Sequence, residues 1–144
     1  MSTHSNKALV IGAGFAGLSA ASFLAKKGWS VTIIEKNEMP GGRARKFEAE
    51  GFTFDMGPSW YWMPDVFEKY FGSFGKKVSD FYQLQRLDPS YRVYFEKATW
   101  DLPANYEALK NLFESIEPGA ANALDLFLSE AKYKYEVGVG KLVY

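Results

Sequence analysis

The chain has 144 residues, 47% of them hydrophobic, which is enough for one domain with an apolar core. Lysine plus arginine and aspartate plus glutamate each number 17, so the formal net charge is zero; this argues against a nucleic-acid-binding domain. The absence of cysteine excludes disulfides and thiolate catalysis and fits a reducing cytoplasm. The single histidine, His4, lies in a polar start, so no histidine-based triad and no metal site is predicted.

The first predicted elements form a strand–helix–strand unit. Residues 7–11 (KALVI) are a mainly apolar run that predicts a short strand buried on both faces. A glycine-rich turn at 12–17, a helix at 18–27 and a strand at 30–34 follow, implying a right-handed crossover and a parallel strand pair. The uncharged stretch 8–25 is long enough for a membrane span or signal peptide, but its change from branched residues to glycines to alanines argues against both.

The rest of the chain predicts short strands and helices. Residues 45–48 and 52–55 are expected to form a hairpin, because two short strand-like runs flank the turn-like sequence AEG. Apolar residues at helical spacing predict a helix at 64–71. The remaining predictions are strands at 82–87 and 91–96, joined by the turn Asp88-Pro89-Ser90, and helices at 105–116 and 120–135.

The motif GAGFAG, residues 12–17, suggests nucleotide chemistry. The pattern alone is a weak signal, but here it follows a strand and opens a helix, and Glu35 ends the next strand roughly 20 residues after Gly14. Gly12 permits a tight turn, and Gly14 leaves room for a pyrophosphate at the helix N-terminus. Gly17 allows the helix and strand to pack closely. The motif therefore predicts a dinucleotide-binding unit.

Two further features bear on the nucleotide. Glu35 is predicted to accept hydrogen bonds from the adenosine ribose hydroxyls, and its charge would repel a 2′-phosphate, which disfavours NADP and leaves NAD or FAD. The motif PGGRAR, residues 40–45, favours FAD, because Gly42 extends a flexible turn and Arg43 is a planar donor suited to phosphate oxygens. Taken alone, Gly-Gly-Arg is only a loop with a solvated charge.

The motifs GAGFAG, EKNEMPGGRAR and GFTFDMGPS together resemble the N-terminus of the two-dinucleotide-fold flavoproteins, which include amine oxidases, protoporphyrinogen oxidases and carotenoid desaturases. Within that group, GFTFDMGPSWYWMPDVFEKYF and DPSYRVYF most resemble the bacterial-type phytoene desaturases. The glycine fingerprint is shared by the whole superfamily, whereas the Phe-Asp-x-Gly-Pro-Ser run is much more specific. The resemblance spans most of the chain.

This resemblance implies non-covalent FAD as hydride acceptor, an apolar polyene (a carotenoid precursor) as substrate, and a cytoplasmic protein that associates peripherally with the inner face of the cell membrane. The implied fold class is α/β: a partial Rossmann-like FAD-binding βαβ unit at residues 1–62, and the start of an α+β substrate-binding region at 63–144. The residues that carry over as cofactor contacts are Gly12, Gly14, Phe15, Ala16, Gly17, Glu35, Lys36, Gly42, Arg43, Gly57, Pro58 and Ser59.

Family members are several times longer, so the chain is expected to be an N-terminal portion that supplies the adenosine half of the cofactor site without the complete flavin pocket. No catalytic acid or base is assigned, because in such enzymes the flavin carries the redox chemistry. The aromatic run Trp60, Tyr61 and Trp62 is expected to line an apolar tunnel or to pack in the core under the helix at 64–71, with Trp62 in the core.

Three other interpretations of the chain's function stay open at the level of sequence. One is another superfamily enzyme, such as an amine or protoporphyrinogen oxidase or a carotenoid isomerase or oxygenase, which substrate turnover would distinguish. A second is a non-catalytic module that binds NAD or an adenine nucleotide, which would lack a yellow chromophore. A third is a remnant unable to fold, whose exposed strand edges would aggregate.

Overall fold

A computed structural model of the chain describes residues 6–58 and 60–142. The chain divides into two compact units, Met1–Tyr82 and Gln83–Tyr144. The predicted boundary after residue 62 therefore lies inside the first unit, and a substrate-binding region beginning at 63 stays a prediction. The first unit contains β1 (Lys7–Ile11), α1 (Phe15–Lys26), β2 (Ser30–Ile34), β3 (Lys46–Ala49), β4 (Phe52–Asp55) and α2 (Pro64–Gly72), with 3-10 turns at Gly42–Ala44 and Val78–Asp80.

The βαβ unit forms as predicted, with β1 and β2 paired in parallel along their whole length. The helix starts earlier than expected, at Phe15 rather than at residue 18. Gly14 is the N-cap: its backbone is extended, and its carbonyl already accepts the N–H of Leu18 at 2.9 Å. The prediction of a turn reaching Gly17 is therefore wrong, because that glycine lies in the first helical turn.

Helix α1 covers one face of the β1–β2 pair. Successive side chains of a strand point to opposite faces, and along β1 the partly buried Val10 alternates with the exposed Leu9 and Ile11. Ile11 is 85% exposed, whereas Val10 faces Gly17 of α1, where an added Cβ would lie 3.5 Å from the Val10 Cγ1. The prediction that β1 is buried on both faces is thus wrong, because an apolar run does not by itself supply a second covering layer.

Helix α2 packs on α1 through aromatic contacts. The ring of Phe23 meets Tyr70 edge-on, with centroids 6.0 Å apart, and lies 5.0 Å from the ring of Phe74. Lys26 donates to the carbonyl of Ser73, and its ammonium lies 5.4 Å from the centre of the Phe74 ring. These contacts place residues 64–74 with the nucleotide-motif unit, although they follow the predicted boundary.

The hydroxyl of Tyr70 on α2 donates a hydrogen bond to Ser22 Oγ on α1 at 2.9 Å. We expect this bond to make a measurable contribution to the free energy of unfolding. Tyr70→Phe should lower the free energy of unfolding by about 1 kcal/mol, because one partly buried hydrogen bond is lost while the ring packing stays. Urea denaturation would measure this. Ser22→Ala removes the same bond, so the double variant should cost much less than the sum of the two single changes. Full additivity would contradict the link, and Tyr133→Phe on an exposed tyrosine is the control.

The first unit also contains a short antiparallel hairpin of β3 and β4, in which Lys46 pairs with Asp55 and Phe47 with Phe54. The rings of Phe47 and Phe54 stack with centroids 4.9 Å apart, which is a favourable cross-strand pair. The prediction of this hairpin is confirmed, with the first strand shifted by one residue.

Within the residues that the structure describes, no helix is long and apolar enough to cross a membrane, and the stretch 8–25 is divided between β1 and α1.

The second unit consists of a hairpin followed by two helices. Its elements are β5 (Tyr91–Tyr94), β6 (Thr99–Leu102), α3 (Tyr106–Ile116) and α4 (Ala120–Val137), which continues into a π-helical turn at Gly138–Leu142. The predicted strand at 82–87 is wrong: β5 pairs antiparallel with a later strand, β6, through a tight turn in which Phe95 N–H donates to the carbonyl of Ala98 at 2.8 Å. Arg92 and Asp101 pair across this hairpin, with Nη2 donating to Oδ2 at 2.8 Å.

Side chains rather than strand pairing hold the segment that precedes β5. Arg86 Nη2 donates to the carbonyl of Ala104 at 2.8 Å, and the N–H of Ala104 donates to Asp88 Oδ1 at 3.0 Å. Asn105 then caps α3, since its Oδ1 accepts the N–H of Ala108 at 2.9 Å. These bonds tie residues 86–88 to the start of α3 in an irregular conformation.

Candidate functional site

Three motifs that are distant in the sequence meet at the N-terminal end of α1. The N–H of Gly41, in the PGGRAR motif, donates to the carbonyl of Ala13 in the GAGFAG motif at 2.8 Å. The N–H of Met56, in the FDMGPS motif, donates to the carbonyl of Arg45 at 2.8 Å. The PGGRAR segment therefore bridges the other two. We call the glycines at this junction the glycine cluster: Gly12, Gly14, Gly17, Gly42 and Gly57.

The first contact of the glycine cluster fixes the turn out of β1. Gly12 has a left-handed backbone (φ 97), and its N–H donates to the carbonyl of Ile34 at 2.7 Å. A Cβ on Gly17 would lie 2.0 Å from the carbonyl oxygen of Gly12, a distance that no side chain can occupy. This geometry agrees with the tight-turn and close-packing roles predicted for these two glycines.

The other cluster contacts join the loops to each other. Gly42 has φ 61, and a Cβ there would lie 3.1 Å from the Cα of Gly14. A Cβ on Gly57 would lie 2.2 Å from the carbonyl oxygen of Arg43. Gly57 therefore lacks a side chain because the Arg43 backbone fills that space. A second role for Gly57 beside a flavin ring stays a prediction.

Both carboxylate oxygens of Glu35 hold the backbone of neighbouring loops. Oε2 accepts the N–H of Ala13 at 2.7 Å, in the turn that opens α1. Oε1 accepts the backbone N–H of Asn37 at 3.0 Å and its side-chain Nδ2 at 2.6 Å. These donors, first Ala13 and then Asn37, hold the pKa of the Glu35 carboxyl below its ordinary value of 4.5. The predicted ribose acceptor is therefore ionised and braces the glycine turn.

Sequence reasoning missed Asn37 as a partner of Glu35. Asparagine is favoured in turns because its side chain bonds to nearby groups, and its position two residues after Glu35 was the available signal. The partner at Ala13 had no such signal. That residue is buried at 5% exposure, and its N–H is brought to the carboxylate only by the fold.

The bonds of Glu35 predict a stability loss in acid. Because the pKa of Glu35 is lower in the folded chain than in the unfolded chain, its stabilising contribution is complete above about pH 4.5. It is lost as the pH falls through the folded-state pKa. The difference in unfolding free energy between the wild type and Glu35→Gln should therefore be constant near neutral pH and shrink below pH 4.5. Urea unfolding at a series of pH values measures this. A pH-independent difference would contradict it, and Glu38→Gln is the exposed control.

The remaining predicted site residues lie around the glycine cluster and are mostly exposed. Phe15 opens α1 and meets the ring of Phe67 edge-on, with centroids 5.9 Å apart. Within the described ranges, the N-terminus of α1 has no capping side chain and no acidic residue in its first turn, so its N–H groups suit an anion. Ser59 lies outside the described residues. The exposed predicted residues are Phe15, Ala16, Lys36, Arg43, Gly57 and Pro58.

In the aromatic run after the FDMGPS motif, Tyr61 packs on α2, whereas Trp60 and Trp62 are exposed. The ring of Tyr61 lies 4.9 Å from that of Phe67 on α2, and its hydroxyl lies 2.5 Å from that of Tyr82. Trp62 is 59% exposed and meets Trp60 edge-on at 6.2 Å. The prediction that Trp62 packs in the core is thus wrong, because Tyr61 occupies the place against α2.

Known proteins match both the fold and the motifs. A family model described as an NAD(P)-binding Rossmann-like domain matches residues 10–77, which begin inside β1 and contain α1, β2, the glycine cluster and α2. A carotenoid 3,4-desaturase from Haloarcula japonica is 49% identical over 136 residues, which cover 94% of this chain and 28% of that protein. The chain belongs to the carotenoid and phytoene desaturase family. The resemblance drawn from the motifs is therefore confirmed.

Other desaturases match this chain over similar lengths. A 4,4′-diapophytoene desaturase (4,4′-diaponeurosporene-forming) from Staphylococcus aureus is 42% identical over 132 residues, 91% of this chain and 26% of the relative. A zeta-carotene-forming phytoene desaturase from Myxococcus xanthus is 36% identical over 143 residues, 99% of this chain and 28% of the relative. The chain thus spans about a quarter of the length of these relatives.

Proposed function

We propose that this chain is the FAD-binding part of a phytoene-desaturase-like oxidoreductase that dehydrogenates a carotenoid precursor. The observation that carries the proposal is the junction of the GAGFAG, PGGRAR and FDMGPS motifs at the N-terminus of α1. The identity of 49% to a carotenoid desaturase supports the choice of this family's chemistry. Family membership favours FAD, although the matched family model is described by NAD(P).

The residues at the junction fit a dinucleotide. The uncapped N–H groups of the first turn of α1 suit the pyrophosphate, and Gly14 leaves the approach to them open. The ionised Glu35 suits the adenosine ribose hydroxyls and disfavours a 2′-phosphate. The exposed Arg43 and Lys36 suit phosphate oxygens.

The same residues suggest how the chain would orient the cofactor. The cofactor, when bound, supplies the hydride acceptor, while the chain binds the adenosine and pyrophosphate and aims the ring toward the FDMGPS segment. We place Gly57, Pro58 and Ser59 beside the flavin on family grounds. The exposed Trp60 and Trp62 offer an apolar surface that suits a polyene. We also propose a cytoplasmic protein associated peripherally with the membrane, where such a substrate dissolves.

Purification of the full-length protein tests the cofactor. We expect a yellow protein with flavin absorption bands, which releases FAD when it is denatured. A colourless protein that binds NAD in calorimetry would overturn the FAD assignment and favour a non-catalytic nucleotide module.

Expression in cells that make phytoene tests the reaction. We expect a coloured carotenoid with more conjugated double bonds, because dehydrogenation of adjacent carbons extends the polyene. A yellow protein that leaves phytoene unchanged would keep the cofactor and overturn the substrate, which would favour an amine or protoporphyrinogen oxidase-type activity.

A further inference from the structure

Glu35 has few acceptor positions left for a ligand. An ionised carboxylate has about four acceptor positions, two on each oxygen. Asn37 fills both positions of Oε1, through its backbone N–H at 3.0 Å and its Nδ2 at 2.6 Å. Ala13 fills one position of Oε2 at 2.7 Å, and the backbone of Lys36 makes a further, weaker contact with the carboxylate. Of the two oxygens, Oε2, which lies against the turn into α1, therefore accepts fewer of the bonds from Ala13 and Asn37 and is the better placed to accept one from a ligand.

The orientation of the Asn37 amide follows from the same contact. A carboxylate can only accept hydrogen bonds, so the NH₂ end of Asn37 must face Glu35. The amide oxygen is then turned away from the carboxylate as a second acceptor, on an exposed residue. The carboxylate oxygen and the amide oxygen can only accept hydrogen bonds. They suit a ribose hydroxyl, which can donate, and are unsuited to a phosphate, which at neutral pH mainly accepts.

We infer that Asn37 is a positioning residue, which holds Glu35 so that only the oxygen beside Ala13 meets the adenosine ribose, and that it thereby helps the site to reject a 2′-phosphorylated nucleotide. This inference rests on the proposed nucleotide-binding function. Without the Asn37 side chain, Oε1 regains an acceptor position and the carboxylate loses the bond that opposes its rotation away from Ala13. The effect should therefore fall on the ribose end of the ligand.

The test compares two ligands that differ only at the ribose, ADP-ribose and 2′-phospho-ADP-ribose, by calorimetry on the full-length protein stripped of cofactor. The wild type should prefer ADP-ribose. Asn37→Ala should weaken ADP-ribose binding by roughly 3- to 10-fold, the value of one lost hydrogen bond, and leave the 2′-phospho ligand unchanged. The ratio of the two affinities is the readout, because a merely structural role would weaken both ligands alike.

Two further variants keep the test interpretable. Asn37→Ser retains a short hydroxyl donor, so it should restore part of the affinity ratio, and it carries the test if Asn37→Ala does not fold. Asn111→Ala, on an exposed face of α3, is the control and should leave both affinities unchanged.

The outcomes separate this inference from the proposed function. A wild type that binds ADP-ribose, with an unchanged ratio in Asn37→Ala and Asn37→Ser, would overturn the role of Asn37 and leave the proposed function standing. A folded wild type that binds neither ligand would overturn both. A reduced ratio that Asn37→Ser partly restores would support both.

Discussion

Gly17→Ala should destabilise the first unit by at least about 3 kcal/mol, at or above the usual upper end for overpacking a core, because backbone rather than side chain would have to move. The new Cβ would lie 2.0 Å from the carbonyl oxygen of Gly12 and 3.1 Å from its carbon. Those atoms belong to the turn that leaves β1, and this turn is pinned to β2 by the bond from Gly12 N–H to Ile34. Helix α1 would have to withdraw from the sheet.

Urea denaturation of the full-length protein measures this loss, and flavin content should fall with it. Gly72→Ala is the matched control, since Gly72 ends α2 and an added Cβ would meet nothing within 4 Å. Alanine is the better helix former, so this control should stay within about 1 kcal/mol of the wild type, in the stabilising direction. Equal effects of the two substitutions would show that the contact between Gly17 and Gly12 does not constrain the fold.

The parts of this fold that the sequence predicts are those with local signals. The bounds of β1 and β2 match the structure, because branched residues are bounded by glycine and polar residues on both sides. Helices α3 and α4 fall within two residues of their predicted bounds, because Asn105 and Gly119 mark their starts. Each of these signals lies within the element that it predicts or directly beside it.

The errors arise where the outcome depends on a distant partner. Residues 82–87 have strand-like composition, but β5 pairs with Thr99–Leu102, and pairing is decided by which strand can reach the edge. Trp62 and Tyr61 are both suited to the core, and only the position of Phe67 on α2 decides between them. In both cases the local sequence permits several answers, and tertiary packing selects one.

In the candidate site, too, local sequence predicts some features, while distant partners decide others. The motifs singled out Gly17, Gly42 and Gly57, and the structure shows which atoms an added Cβ would meet at each of them. The clashes for Gly42 and Gly57 come from Gly14 and Arg43, which belong to other motifs in the sequence. Sequence spacing could explain each motif by a ligand, but it could not show that the motifs pack on one another. The packing of these loops and their ligand are therefore separable questions.

Gly14→Ala separates these two questions, and we expect it to weaken FAD binding strongly while the fold is kept. The backbone of Gly14 (φ −80, ψ −179) is one that alanine adopts, and the added Cβ would lie 3.8 Å from the Cα of Gly42, an ordinary contact. Alanine is a poorer N-cap than glycine, so the stability cost should be about 0.5–1 kcal/mol. The methyl group would stand before the first-turn N–H groups of α1, where the pyrophosphate is proposed to lie.

Losing one or two hydrogen bonds to a charged phosphate should weaken FAD binding by roughly 10- to 100-fold or more. Flavin content and melting temperature, measured on the same preparation of the full-length protein, distinguish this effect from unfolding. Gly17→Ala should lose both, Gly72→Ala neither, and Gly14→Ala the flavin alone. If Gly14→Ala keeps its flavin, the small residue serves the contact with Gly42 and the pyrophosphate lies elsewhere. If stability and flavin fall together, the turn rather than the ligand requires glycine at this position.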